Sequence, residues 1–228
     1  MTCRKRIFLC FCLTVLTFAF CVSSYANNTL PSTEYGNDKK TKRIALTFDD
    51  GPHPRFTPQI LEVLGEYGIR ATFFVIGVNV QNYYESYQKI IDSGCEIGNH
   101  TYSHVNLNFA DSKEIRDEIL LCADAIAGRD GDRLLRPPQG ACNTEVKRIA
   151  SELQYDLVFW TIDTMDWAHT GTKEIIDTVL SNASDGDIVL MHDYVSGKSH
   201  ACEALRVIIP ELLSRGFEFV TVSEMMSK

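Results

Sequence analysis

The chain has 228 residues, 45% hydrophobic and 23% charged, with a formal net charge of −8. Such a balance is ordinary for a globular protein, and the length allows one large domain or two small ones, able to bury a core without staples. The acidic surplus repels phosphate backbones, so no nucleic-acid partner is expected; a neutral or basic polymer suits it better.

Arg4, Lys5 and Arg6 precede an uncharged apolar run over residues 7–22, and Ser24-Tyr25-Ala26 follows with small residues at a cleavage spacing. This pattern predicts a signal peptide over residues 1–26 and a secreted or extracytoplasmic protein whose membrane contact is transient. The alternative is an uncleaved segment tethering the chain to a membrane. Phe18-Ala19-Phe20 lacks the small residues that a lipidated Cys21 would need. Cleavage removes three basic residues and no acidic ones, taking the net charge from −8 to −11, and leaves Cys95, Cys122, Cys142 and Cys202 of the eight cysteines. These four permit two disulfides in three connectivities, or remain buried free thiols. No Cys-x-x-Cys pair supports a zinc ribbon or redox motif.

Residues 27–42 are polar and read as a linker, leaving residues 43–228 as one domain. From Arg43 onward, short β-branched runs alternate with helical patterns. Strands are expected over residues 44–48, 71–76, 95–98, from Leu134, and over 155–162, 187–191 and 217–222. Helices are expected over residues 57–67, 81–92, 112–127, 143–153, 172–181 and 202–214. Ile115, Ile119, Cys122 and Ile126 mark one apolar face of the 112–127 helix, and Asn143 is placed to cap the next. The alternation implies an α/β fold with parallel strands, as a barrel or an open doubly wound sheet. No Gly-x-Gly-x-x-Gly follows the first strand, which weakens a dinucleotide-binding reading.

Five polar clusters each follow a strand: Thr47-Phe48-Asp49-Asp50-Gly51, His100-Thr101-Tyr102-Ser103-His104, Arg136-Pro137-Pro138-Gln139-Gly140, Asp163-Thr164-Met165-Asp166-Trp167 and Leu190-Met191-His192-Asp193. The C-terminal edge of a parallel sheet is where ligands bind, so the five clusters should converge. An Asp-Asp-Gly alone reads as a turn or cap, and two histidines alone as satisfied loop residues. Together, Asp50, His100 and His104 make a three-ligand set with an open position, the pattern of a catalytic metal site. Zinc fits first, with Co2+ or another divalent first-row ion binding comparably. That leaves Asp49 as a base, steered by a bidentate pair with Arg136. Thr101 and Ser103 brace the loop. His192, paired with Asp166, suits a general acid, and Trp167 suits stacking on a sugar. His53, Asp163 and Asp193 read as structural residues or caps, and His169 and His200 as surface residues.

The ordered motifs Thr-Phe-Asp-Asp-Gly, His-Thr-x-x-His, Arg-Pro-Pro-x-Gly, Asp-x-x-Asp-Trp and Leu-x-His resemble the polysaccharide deacetylase family, the NodB-homology group of carbohydrate esterase family 4. The likeness covers residues 43–222. It implies a single distorted (β/α) barrel with about seven parallel strands, acting on an acetylated polysaccharide. It further implies Asp49 as base, Asp50, His100 and His104 as metal ligands, Arg136 orienting the base, and His192 as acid tuned by Asp166. The Gln139 N–H becomes an oxyanion donor, while Trp167 and Leu190 line the acetyl pocket. The family usually carries an aromatic residue at the position of Gln139, so substrate preference is where this chain departs. Removal of N-acetyl groups from peptidoglycan amino sugars, by a monomer, is the expectation. The alternatives are an acetyl ester hydrolase acting on xylan and a silent carbohydrate-binding protein. A phosphoesterase would need a basic phosphate cradle that the sequence lacks.

Overall fold

The structure is a computed structural model that describes residues 41–127 and 133–227. The expected signal peptide and all but the end of the linker lie outside the described residues. No helix among the described residues is long and apolar enough to cross a membrane.

In chain order the elements are β1 (Lys42–Asp49), α1 (Phe56–Glu66), β2 (Thr72–Val75), α2 (Gly77–Asn82), α3 (Tyr84–Asp92), β3 (Glu96–Asn99), α4 (Ser112–Ala125) and β4 (Leu134–Leu135). They continue with α5 (Thr144–Glu152), β5 (Asp156–Leu157), β6 (Ile162–Asp163), α6 (Thr172–Asn182), β7 (Asp187–His192), α7 (Ala201–Ser214), β8 (Phe217–Phe219) and α8 (Val222–Met226). Every strand pair is parallel, in the order β5-β4-β3-β2-β1-β7-β6. β8 joins the lower end of β1 through Lys42–Ile44, on the edge whose upper end takes β2. The result is the distorted (β/α) barrel.

The alternation of β1 explains its placement. Ile44, Leu46 and Phe48 face outward into a core shared with Ile60, Val63 and Leu64 of α1 and Leu205 and Ile208 of α7. Ala45 faces inward with Phe74, Leu134 and Val158. The inward column therefore climbs from Ala45 through Thr47 to Asp49, from apolar to polar to charged, as period-two geometry requires. A second core under the β3–β4 side holds Ile115, Ile119, Leu135, Val146 and Ile149. The expected apolar face of α4 is fully buried. Asp111 caps α4 by accepting from Lys113 N and Glu114 N at 2.9 Å, and Asn143 caps α5 by accepting from Val146 N at 3.0 Å.

Three expectations change. The 155–162 strand is two strands on opposite edges of the sheet, β5 on β4 and β6 on β7, joined by residues 158–161. The crossing segment runs from one edge of the curled sheet to the other: Val158 N donates to Leu135 O on one side and Thr161 N to Ile188 O on the other, each at 2.9 Å. The 81–92 helix is α2 and α3, broken at Tyr83, whose φ of −128° and ψ of 46° are not helical. The last strand stops at Phe219, and Thr221 opens α8 with a capping box to Glu224. Cys95, Cys122, Cys142 and Cys202 are free thiols rather than disulfides. Burial pushes Cys202 up to about 11, so that thiol stays protonated at neutral pH.

Candidate functional site

Strand register sets the site. Asp49 lies level with His192 across β1–β7, and Asp163 with Leu190 across β6–β7. His100 N donates to Val75 O and Arg136 N to Asn99 O, both at 3.0 Å, carrying the next two loops to the same level. The clusters thus meet at one C-terminal rim, around a cavity of about 390 Å³. Asp49, Asp50, His100, His104, Gln139, Trp167, Leu190 and His192 line it. Arg136 and Asp166 stand behind, both buried.

Asp50, His100 and His104 offer ligand atoms within 4.8 Å of one another. Asp50 Oδ1 sits 3.3 Å from His100 Nε2 and 3.2 Å from His104 Nε2. That oxygen is buried and makes no hydrogen bond, a costly state that a cation would relieve. The donor set of one carboxylate and two imidazoles fits a divalent metal. His100 Nδ1–H donates to Arg136 O at 2.7 Å, which leaves Nε2 as the free acceptor. Burial alone would raise the Asp50 carboxyl, yet the two imidazoles outweigh it and hold it far below the usual carboxylate range. Burial would lower His100, and Asp49 and Asp50 instead raise it. Both shifts express one attraction, and a metal ion would take the place of the proton.

The loops are held in uncommon backbone. Asp50, His104 and Gln139 have φ of 76°, 61° and 58°, left-handed values that few non-glycine residues adopt. Dense bracing holds the His100–His104 loop. Asn99 Oδ1 accepts from Thr101 N at 2.9 Å, and Thr101 Oγ1 accepts from His104 N at 3.2 Å. Glu118 of α4 accepts from Ser103 N at 2.8 Å and from Ser103 Oγ at 2.6 Å.

Arg136 is fully buried. Its Nη1 donates to Asp49 Oδ1 at 2.8 Å and Thr47 Oγ1 at 2.7 Å. Nε donates to Val158 O at 3.4 Å and Nη2 to Phe159 O at 3.3 Å. The expected bidentate pair is therefore one-ended, because the crossing segment takes the other guanidinium nitrogens. The guanidinium also packs over the Phe74 ring, 4.1 Å from its centroid. Asp49 Oδ2 remains toward the metal set, 3.8 Å from His100 Nε2. On the facing strand, His192 Nδ1 bonds Asp166 Oδ1 at 2.7 Å, and His192 N donates to Asp166 Oδ2 at 2.9 Å. Burial would lower His192, but the Asp166 hydrogen bond and charge, with Asp49 and Asp50 adding, push it up to about 9.

Other residues matter that the sequence left aside. Trp160 and Asp163 line the cavity. Trp160 was hidden inside an apparently continuous strand, and the Asp163 Oδ1 also accepts from Met165 N at 2.8 Å, in keeping with a turn role. Asp193 is buried beneath the Asp49–Gly51 turn, accepts from the Thr57 hydroxyl and donates its N–H to Asp49 O at 3.1 Å. Burial first, then the nearby Asp50 and Asp49 charges, push its carboxyl up to about 7. A Cβ on Gly51 would meet that carboxylate at 2.1 Å, so only glycine fits there. His53 is a cap: its Nδ1 accepts from Arg55 N and Phe56 N at 3.1 Å.

The family model described as "Polysaccharide deacetylase" matches residues 36–158. A peptidoglycan-N-acetylglucosamine deacetylase of Bacillus cereus is 40% identical over 197 residues, covering 81% of this chain and 88% of the relative. PdaC of Bacillus subtilis, a peptidoglycan-N-acetylmuramic acid deacetylase, is 40% identical over 190 residues, covering 82% of this chain and 39% of its own length. A solved structure of PdaC superimposes with a TM-score of 0.74 at 39% identity, covering 82% of this chain and 91% of that one. A chitooligosaccharide deacetylase of Bradyrhizobium is 36% identical over 198 residues, covering 81% of this chain and 90% of the relative.

Proposed function

The chain belongs to the polysaccharide deacetylase family, and we propose that it is a metal-dependent hydrolase releasing acetate from N-acetylated amino sugars of peptidoglycan. One observation carries this reading. Asp49, fixed by Arg136, lies beside a three-ligand set and level with the His192–Asp166 pair across one cavity.

A divalent ion, with zinc the first candidate, held by Asp50, His100 and His104 would polarise the acetyl carbonyl and lower the pKa of a water. Asp49 accepts the proton of the attacking water through the carboxylate oxygen that Arg136 leaves free. A C–O bond forms, and the Gln139 N–H donates to the oxyanion. Among the described residues, that N–H has no intramolecular acceptor. One such donor is worth about 3 kcal/mol. His192 protonates the departing nitrogen as the C–N bond breaks, and acetate and a free amine result. Leu190, 4% exposed, offers an apolar wall to the acetyl methyl, and Trp167, 51% exposed, a face for the sugar. The signal-peptide pattern over residues 1–26 supports an action outside the cytoplasm, on the cell wall.

Acetate release from peptidoglycan, N-acetylglucosamine oligomers and acetylated xylan, with and without chelator, tests the reading. Release from the amino-sugar polymers, abolished by chelator and restored by zinc or cobalt, is expected. Release from xylan alone would assign an esterase. Glycan binding with no acetate from any of them would leave a silent binding protein.

A further inference from the structure

Residues 105–110 lead directly away from His104. Phe109 N donates to Asn106 O and Asn108 N to Asn106 Oδ1, both at 3.1 Å, so the loop is a set of tight turns. Leu107 anchors it, fully buried in the second core. Two asparagines stitch it to the next loop: Asn106 Nδ2 donates to Gln139 Oε1 at 2.8 Å, and Asn143 N donates to Asn108 Oδ1 at 2.9 Å. Fastened this way, the loop holds Phe109 out at 90% exposure, the highest of any large hydrophobic side chain among the described residues.

A Phe at that exposure does nothing for the core. A loop pinned at Asn106, Leu107 and Asn108 that presents an aromatic face to water is arranged for something it meets there. The proposed substrate is a polymer, and a cavity of about 390 Å³ takes only a short part of it, so the remainder must lie along the rim. Gln139 lines that cavity and Asn106 is bonded to Gln139, so the loop continues the cavity wall. Whichever way the two amides are turned, their mutual bond uses one donor and one acceptor and leaves further N–H groups and lone pairs for a ligand. A pyranose ring matches such a surface, with an apolar C–H face for the aromatic and hydroxyl or acetamido groups for the amides.

We propose that residues 105–110 form a glycan subsite beyond the reacting sugar, with Phe109 stacking on a neighbouring ring and the Asn106–Gln139 pair bonding its polar groups. The deacetylase reading supplies the identity of the polymer and nothing else in this inference. The test compares kcat/KM for the pentamer and the dimer of N-acetylglucosamine. Phe109→Ala should lower the pentamer-to-dimer ratio roughly two- to twelvefold, through KM, the range that aromatic contacts supply. Phe109→Trp should restore it, and Asn106→Ala, which unpins the loop, should lower it as well. An unchanged melting temperature for Phe109→Ala verifies the fold. A ratio equal to wild type in Phe109→Ala overturns the subsite. Calorimetric titration with the pentamer judges the subsite independently of turnover: weaker binding by Phe109→Ala supports it, and equal binding, or none by wild type, overturns it. Wild-type binding without acetate release would sink the deacetylase reading alone.

Discussion

Asp49 and Asp50 are adjacent in sequence and held in unlike surroundings. Asp50, at a left-handed φ of 76°, turns its buried Oδ1 between two imidazoles, while Asp49 stays in extended β1 with one oxygen fastened by Arg136. Asp49→Asn keeps the shape but removes the carboxylate proposed as the base. We expect deacetylation to fall by about 10²–10⁴-fold with metal content unchanged, read by acetate assay and metal analysis. Near-normal turnover in that variant would remove Asp49 from its role. His192 gives a pH signature. Its pKa is raised to about 9, so it stays protonated through neutral pH, and its stabilising pairing with Asp166 is complete below about 6.5 and lost as the pH rises through about 9. Activity should therefore decline above about pH 9. Asp166→Asn should draw that limb down toward the ordinary histidine range, and a limb that does not move would mean another group is the acid. Side chains of this kind were legible because their types and spacings carry chemistry. Hidden from the sequence were partners set by three-dimensional closure: the carbonyls that reduce the Arg136–Asp49 pair to one bond, and Trp160 on the cavity wall.

At the scale of the element, α4 does more than cover the sheet. Its buried Glu118 fastens the Ser103 backbone and hydroxyl, one residue before His104. Glu118→Gln keeps the volume but loses one of the two acceptor oxygens. Zinc affinity, measured by competition with a chromogenic chelator, should weaken about 10–100-fold, the usual cost of loosening a ligand's support. Unchanged affinity would confine Glu118 to packing. Elements with strong periodicity, such as the 115-119-122-126 face of α4, were readable from the sequence. The run 155–162 was not, because the segment where it breaks, Val158-Phe159-Trp160-Thr161, contains no turn residue and the break comes only where barrel curvature makes the chain cross. Tyr83, equally unmarked, divides α2 from α3. α8 did carry a signal, the Thr221-x-x-Glu224 capping box, which the strand reading overran.

For the molecule as a whole, metal binding and folding should be linked. A ligand that binds only the folded chain adds about 2.7 kcal/mol at one hundred times its dissociation constant. For a chain of this size that is roughly 5–10 °C in Tm. Zinc should raise the Tm of the wild type by about that amount and leave Asp50→Ala unmoved. Equal shifts in both would locate the binding elsewhere. The overall architecture was legible because parallel strands bring the loops after their C-terminal ends to one rim, whereas the crossing from β5 to β6 was not written in any local pattern.

The crossing segment concentrates on one side chain a burden usually shared. In a barrel sealed by a continuous backbone ladder, many weak bonds carry the joint, and the loss of one is tolerable. Here four acceptors, Thr47, Asp49, Val158 and Phe159, converge on a single guanidinium. The proposed base and the segment that crosses from β5 to β6 therefore depend on the same side chain. Lysine would preserve the charge, but a compact ammonium cannot reach all the acceptors that the three guanidinium nitrogens span, so Arg136→Lys should disturb the base position and the crossing segment together.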